Sequence, residues 1–208
     1  SRADFNKAIL IAERRQSFLE GVLYLMIGMV AVAAFMTRST LFVCYGFWLF
    51  ASLRLVALSE GWDHSIFGFE LLAEPLMRAR MLALAMYFTS TVLIVWHLFE
   101  NIRRESWLGV LRTLQFASAV LILLALFSPY RTFLELFWPM SLVAASAVAW
   151  VVTQNFLEKR DRVAIYYLAA MMISLTGAVA EVLSAWFDQR FLLQYFNSAS
   201  VTVLASVM

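Results

Sequence analysis

MLALAMYFTSTVLIVWHLF, residues 81–99, runs for nineteen positions without one aspartate, glutamate, lysine or arginine. A hydrocarbon core about 30 Å thick is crossed by a helix of roughly 20 apolar residues, so this stretch has the length and chemistry of one membrane span. Six more apolar runs, most of them holding a single charged residue, flank it: Phe18–Met36, Leu41–Leu58, Leu111–Phe127, Phe133–Phe156, Val163–Phe187 and Phe191–Met208. Together the seven make up most of a 208-residue chain that is 63% hydrophobic, with a mean hydropathy of +0.80. One soluble core of this size cannot hide so much apolar surface. The expected fold is all-α, a polytopic seven-transmembrane-helix bundle over residues 18–208, preceded by a polar, amphipathic lead-in at 1–17. A membrane β-barrel does not fit, because its strands alternate apolar and polar over about ten residues.

The formal net charge of +2 is small and scattered, which speaks against nucleic-acid binding. The single cysteine, Cys44, lies inside the second run, so no intrachain disulfide can form and the thiol reads as a small buried hydrophobe. No signal peptide is visible in the polar first 17 residues. Both ends read as cut: Ser1 is not an initiator methionine, and the last run is still apolar at Met208. Flanking domains are therefore expected on both sides.

Lysine and arginine in short loops orient a bundle. With the N-terminus outside, the inner segments carry Arg38, Arg103, Arg104, Arg112, Lys159, Arg160 and Arg162, seven in all, against four outside: Arg78, Arg80, Arg131 and Arg190. This favours an N-out, C-in arrangement. The basic lead-in (Arg2, Lys7, Arg14, Arg15) opposes it, and loses weight if a long translocated domain precedes it. The longest connection, Ser59 to Arg80, lies outside and offers Trp62, His64, Glu70 and Glu74 as ligand contacts. Glu70 and Glu74 stand at i and i+4, one face of a short interfacial helix. Trp62, Trp107, Trp138 and Trp186 fall near run ends, where indoles favour the headgroup layer. Pro139 is expected to kink the fifth helix locally.

Ionisable residues inside the runs gather toward one side. Arg54 and Glu181 sit at matched depth, roughly 6–10 Å inside the outer boundary, and Glu20 and Glu135 also fall outward. Charges at such depth face the bundle or water and seek partners. A structural ion pair, or separate snorkelling, weighs against a ligand or switch role. The seventh run carries a polar stripe, Gln194, Ser198 and Thr202 at i, i+4 and i+8. Such small polar residues favour close helix packing, and the stripe is also compatible with relaying motion past Met208.

Catalytic signatures are missing: there is no His-Glu-x-x-His, no Gly-x-Ser-x-Gly, no phosphate-binding glycine loop and no cysteine pair. No catalytic residue, cofactor or metal site is assigned; Glu60, Asp63, His64 and Glu70 read as a solvated acidic loop rather than a metal cluster. The only lysines, Lys7 and Lys159, lie outside the runs, which excludes a retinal Schiff base. A small transporter or channel is the alternative, although the two halves show no repeat and no matched mid-membrane breaks.

Glu13-Arg14-Arg15 followed by Gly21, the short loop Thr37-Arg38-Ser39, the turn Ser59-Glu60-Gly61, and Leu193-Gln194-Tyr195 leading into Ser198 and Ala199 form a pattern. It resembles the bacterial seven-transmembrane receptors with diverse intracellular signalling modules, over Ala12 to Met208. The chain departs from that family at Met29-Val30-Ala31-Val32, where a Tyr-Asn pair is common, and at Val201 or Thr202, where an acidic residue is often found. The resemblance implies a sensor and signal-transmission domain, with an extracytoplasmic ligand or ligand-binding domain before Ser1. It also implies a cytoplasmic output domain after Met208: a histidine kinase, a diguanylate cyclase or a phosphatase. Enzymatic activity would belong to that output domain. The expected partners are the lipid bilayer and these two modules, with no nucleic acid; oligomeric state, a homodimer included, is not readable from these residues.

Overall fold

In a bilayer core no water is available to backbone N–H and C=O groups, so an apolar run must satisfy them internally, as a helix does. The computed structural model describes residues 21–60, 73–99, 105–159 and 165–173, and the regular structure among them is helical throughout. In chain order these are α1 (Gly21–Thr37), α2 (Thr40–Glu60), α3 (Ala73–Leu98), α4 (Glu105–Phe127), α5 (Tyr130–Lys159) and α6 (165–173). Among the described residues three segments are long and apolar enough to cross a membrane: Glu74–Leu98, Trp107–Phe127 and Tyr130–Gln154. Gly21–Thr37 and Thr40–Leu55 are shorter apolar helices. The expected seventh span and most of the sixth lie outside the described residues.

Several helices are longer than the apolar runs. α3 begins at Ala73 rather than near Met81, taking in Glu74, Arg78 and Arg80. α4 begins at Glu105, well before Leu111. Charge ends a hydrophobic run, but Ala, Leu, Met, Arg and Glu are all good helix formers, so the backbone continues. Pro75 sits in the first turn of α3, where its missing N–H costs nothing. α5 begins at Tyr130, which puts Pro139 in the third turn of a helix that continues to Lys159.

Two corners are tight. Between α1 and α2, Arg38 takes φ 50°, a left-handed conformation at the position usually given to glycine after a helix. Ser39 then offers its carbonyl to the Val43 N–H at 3.4 Å, starting α2. Between α4 and α5, the Ser128 N–H donates to Leu124 O at 2.9 Å and the Phe133 N–H to Pro129 O at 3.1 Å. Pro129 disfavours the helical conformation at Ser128, so one helix stops and the next starts within two residues.

α3 is the hub: it packs most extensively on α2, then on α4, and also touches α5. Its buried face carries Met81, Ala85, Phe88, Val92 and Val95. Phe137 of α5 meets Phe88 edge-on at 6.5 Å and stacks on Phe133 at 5.5 Å. Tyr167 of α6 meets Phe99 at 5.9 Å and 89°. α1 lies on α2, where a Cβ added at Gly46 would rest 3.6 Å from Val30. Trp107, near the start of α4, is buried against the other helices.

The outer flanks are as apolar as the core. Phe35, Met36, Phe116 and Phe127 are all exposed, a surface no aqueous protein sustains but one that lipid covers. Among the described residues the buried polar side chains are Ser52, Ser90 and Ser118. Each donates to a carbonyl one turn back, Trp48, Met86 and Leu114, at 2.7–2.9 Å. Thr89 and Thr91 do the same toward Ala85 and Tyr87.

Candidate functional site

Antiparallel neighbours bring the C-terminal ends of α2 and α4 to the same side as the N-terminal ends of α3 and α5. Most of the described charge collects there. Arg78 of α3 reaches across and donates from Nη1 to the carbonyl of Leu126 at 2.7 Å. Leu126 belongs to the last turn of α4, whose carbonyls have no intrahelical donor and carry the negative end of the helix dipole. Arg131 and Glu135, both exposed, pair at 3.0 Å one turn apart on α5. In water such a pair is worth a few tenths of a kcal/mol at most.

Below this rim, a cleft of about 180 Å³ opens between α2 and α3, lined by Phe50, Ala51, Arg54, Ala79, Leu82, Ala83 and Met86. Its origin is in the sequence. Ala79 and Ala83 stand at i and i+4, hence on one face of α3, opposite Ala51 of α2. Three methyls in place of larger side chains leave a gap that Phe50, Leu82 and Met86 wall in. Arg54 and Ala79 each lie six residues from the rim end of their helices, about 9 Å down. Arg54 and Ala79 therefore line the rim end of the cleft, and the rest of the lining runs deeper. Arg54 is half-buried and is engaged in an interaction within the chain.

Farther along α2, Tyr45 stacks against Trp48 at 6.0 Å, and Trp48 meets Tyr87 of α3 at 5.6 Å. The Tyr45 hydroxyl is buried with no hydrogen-bond partner among the described residues. Cys44 beside it is buried and free.

Of the intramembrane charges read from the sequence, Arg54 lies in the cleft, and Glu135 pairs with Arg131 on its own helix. Glu20 and Glu181 lie outside the described residues, as do Trp62, His64 and Glu70 of the long connection and Gln194, Ser198 and Thr202 of the last run. Glu74 stands exposed in the first turn of α3, so its helix is a long one continuous with the apolar run. The sequence reading did not single out Arg78 as a cap or the Ala51, Ala79 and Ala83 gap. The i, i+4 alanines opposite an intramembrane arginine were the available signal. Among the described residues no cluster of His, Cys, Asp or Glu could hold a metal ion.

Neither the curated proteins nor the solved structures contain a match to this chain. One family model does match, described as 7TM diverse intracellular signalling, and it covers residues 14–208, nearly the whole chain. Helices with apolar flanks and charge gathered at one rim agree with it, and the chain belongs to the 7TM diverse intracellular signalling family of membrane domains.

Proposed function

We propose that the bundle is the transmission unit of a bacterial inner-membrane receptor. It receives a signal on the extracytoplasmic side, where its N-terminus lies, and passes it to a cytoplasmic output domain of histidine kinase, diguanylate cyclase or phosphatase type beyond the last span. The observation that carries this reading is the match of residues 14–208 to a signalling family. The packing supplies a physical means. α3 touches α2, α4 and α5, so a small shift of α3 is felt by three neighbours at once. The buried serines bond within their own helices, so such a shift breaks none of their hydrogen bonds. Two packings of one bundle, biased by an external ligand, are sufficient for a switch.

Residues 191–208 are the relay, and the stripe Gln194, Ser198 and Thr202 sets its balance. Removing one interhelical hydrogen bond shifts a two-state balance by about 1 kcal/mol, roughly fivefold in output. The test attaches the native downstream domain and measures its activity per folded molecule in Gln194→Leu, Ser198→Ala and Thr202→Val. Altered activity at one or more stripe positions is expected; unchanged activity at all three, in well-folded protein, makes this helix an anchor. Phosphatase fusions check the orientation, active at Trp62 and silent at Arg160.

A further inference from the structure

The cleft between α2 and α3 has the polarity of an amphiphile. Arg54 lines its rim end, and Phe50, Ala51, Leu82, Ala83 and Met86 line the depth below. From Ala79 to Met86 the α3 wall extends about 10 Å. The volume of about 180 Å³ is below the roughly 300 Å³ at which pockets for drug-sized molecules begin, which suits one narrow chain better than a ring system.

The flank that bears the cleft indicates what can reach it. Val43, Phe47 and Phe50 of α2 are all exposed, and Phe50, which also lines the cleft, is 44% exposed. Such a flank is solvated by acyl chains, so the molecules able to enter sideways are lipids. The charge selects among them. Arg54, Arg78 and Arg80 all lie toward the end of the bundle where α2 finishes and α3 begins, and the described acidic residue on α3 there, Glu74, is exposed in the first turn. Arg54 is already engaged within the chain. A guanidinium presents five N–H donors in a planar fork, a geometry that matches a phosphate.

We propose that this cleft is a binding site for one anionic phospholipid, its phosphodiester on Arg54 and one acyl chain lying between α2 and α3 against Ala51, Ala79 and Ala83. The site is independent of any signal the bundle carries.

The experiment reconstitutes the full chain in phosphatidylcholine vesicles containing a minor fraction of phosphatidylglycerol with a photoactivatable acyl chain, then maps the labelled peptides. Labelling is expected at Phe50 and along Leu82 to Met86, above the level on the exposed α4 flank at Phe116 and Leu123. Unlabelled phosphatidylglycerol should compete, whereas phosphatidylcholine and free fatty acid should not. Arg54→Gln should lower cleft labelling about fivefold, the effect of one arginine on an anionic lipid. Ala83→Phe, which fills the cleft, should abolish it whatever the headgroup. Labelling of the α4 flank, unchanged in both variants, reports an intact fold. The proposal is overturned by cleft labelling no stronger than on α4, by equal labelling from a phosphatidylcholine probe, by full competition from fatty acid, or by persistence in Ala83→Phe. Crosslinks between two protein copies through Phe50 would overturn it too, making this flank a homomeric interface.

Discussion

Replacing Phe137 with alanine should cost about 3 kcal/mol, and the way that figure is composed tests whether lipid is the solvent of this bundle. Phe137 is 5% exposed; its ring meets Phe88 of α3 at 6.5 Å, Phe133 at 5.5 Å and Trp138 at 5.7 Å. In water, Phe→Ala in a core costs about 3–5 kcal/mol, a sum of lost hydrophobic transfer and the cavity left behind. Here the transfer part drops out, because helices that separate within a bilayer leave the ring in hydrocarbon anyway. The cavity part remains: roughly 100 Å³ at about 24 cal/mol per Å³ is about 2.4 kcal/mol. The edge-on contact with Phe88 adds about 0.5–1.5 kcal/mol across the α3–α5 interface. Phe127, 81% exposed, is the control. It loses neither cavity nor partner, so Phe127→Ala should change stability by less than about 0.5 kcal/mol. Reversible unfolding in bicelles titrated with a denaturing detergent measures both. Equal costs for the two variants, or a cost below about 1 kcal/mol for Phe137→Ala, would refute the reasoning.

Three further outcomes follow from local geometry. Arg78→Gln removes the charged donor from the last turn of α4; the side chain is exposed, so the loss should be about 1 kcal/mol, seen as faster hydrogen exchange at the neighbouring Ser128 amide. Unaltered exchange there would mean that the bond does not hold that turn. Arg38→Gly should stabilise the bundle by about 0.5–1 kcal/mol by relieving the left-handed backbone at φ 50°, and a lower melting temperature would contradict that conformation. Tyr45→Phe removes a buried hydroxyl without a described partner. It should be neutral or stabilising by up to about 1 kcal/mol, whereas a clear loss would reveal a bond made by that hydroxyl.

Hydropathy alone made the class of this chain legible, because a span must be apolar along its whole length and all the way round. It does not mark where helices begin. The run that opens at Met81 reports the edge of the hydrocarbon, while the helix that opens at Ala73 reports backbone propensity, and the two differ where Glu74, Arg78 and Arg80 continue a good helical sequence. The depth of Arg54 was readable by counting residues from the run end; the cleft beneath it was not, since it depends on which face of α3 turns toward Ala51. Arg78 shows the same limit. In sequence it counts as one more outer-loop charge, whereas its role comes from a carbonyl 48 residues away. Glu135 was legible as a charge near the start of its run, but its partner Arg131 is set by helical spacing rather than by burial.

The hydroxyls of Ser52, Ser90 and Ser118 turn back onto their own helices, and this bears on how the domain can drift over evolutionary time. A serine that bonds a neighbouring helix ties two positions together, so neither changes without the other. A self-bonded serine carries no such tie. Alanine, glycine or cysteine can replace it with only a small volume adjustment, and the facing helix need not respond. Sequences of such bundles can therefore diverge quickly at interior polar positions while the fold persists. An interior hydroxyl held fixed across many relatives would then mark selection for something other than packing.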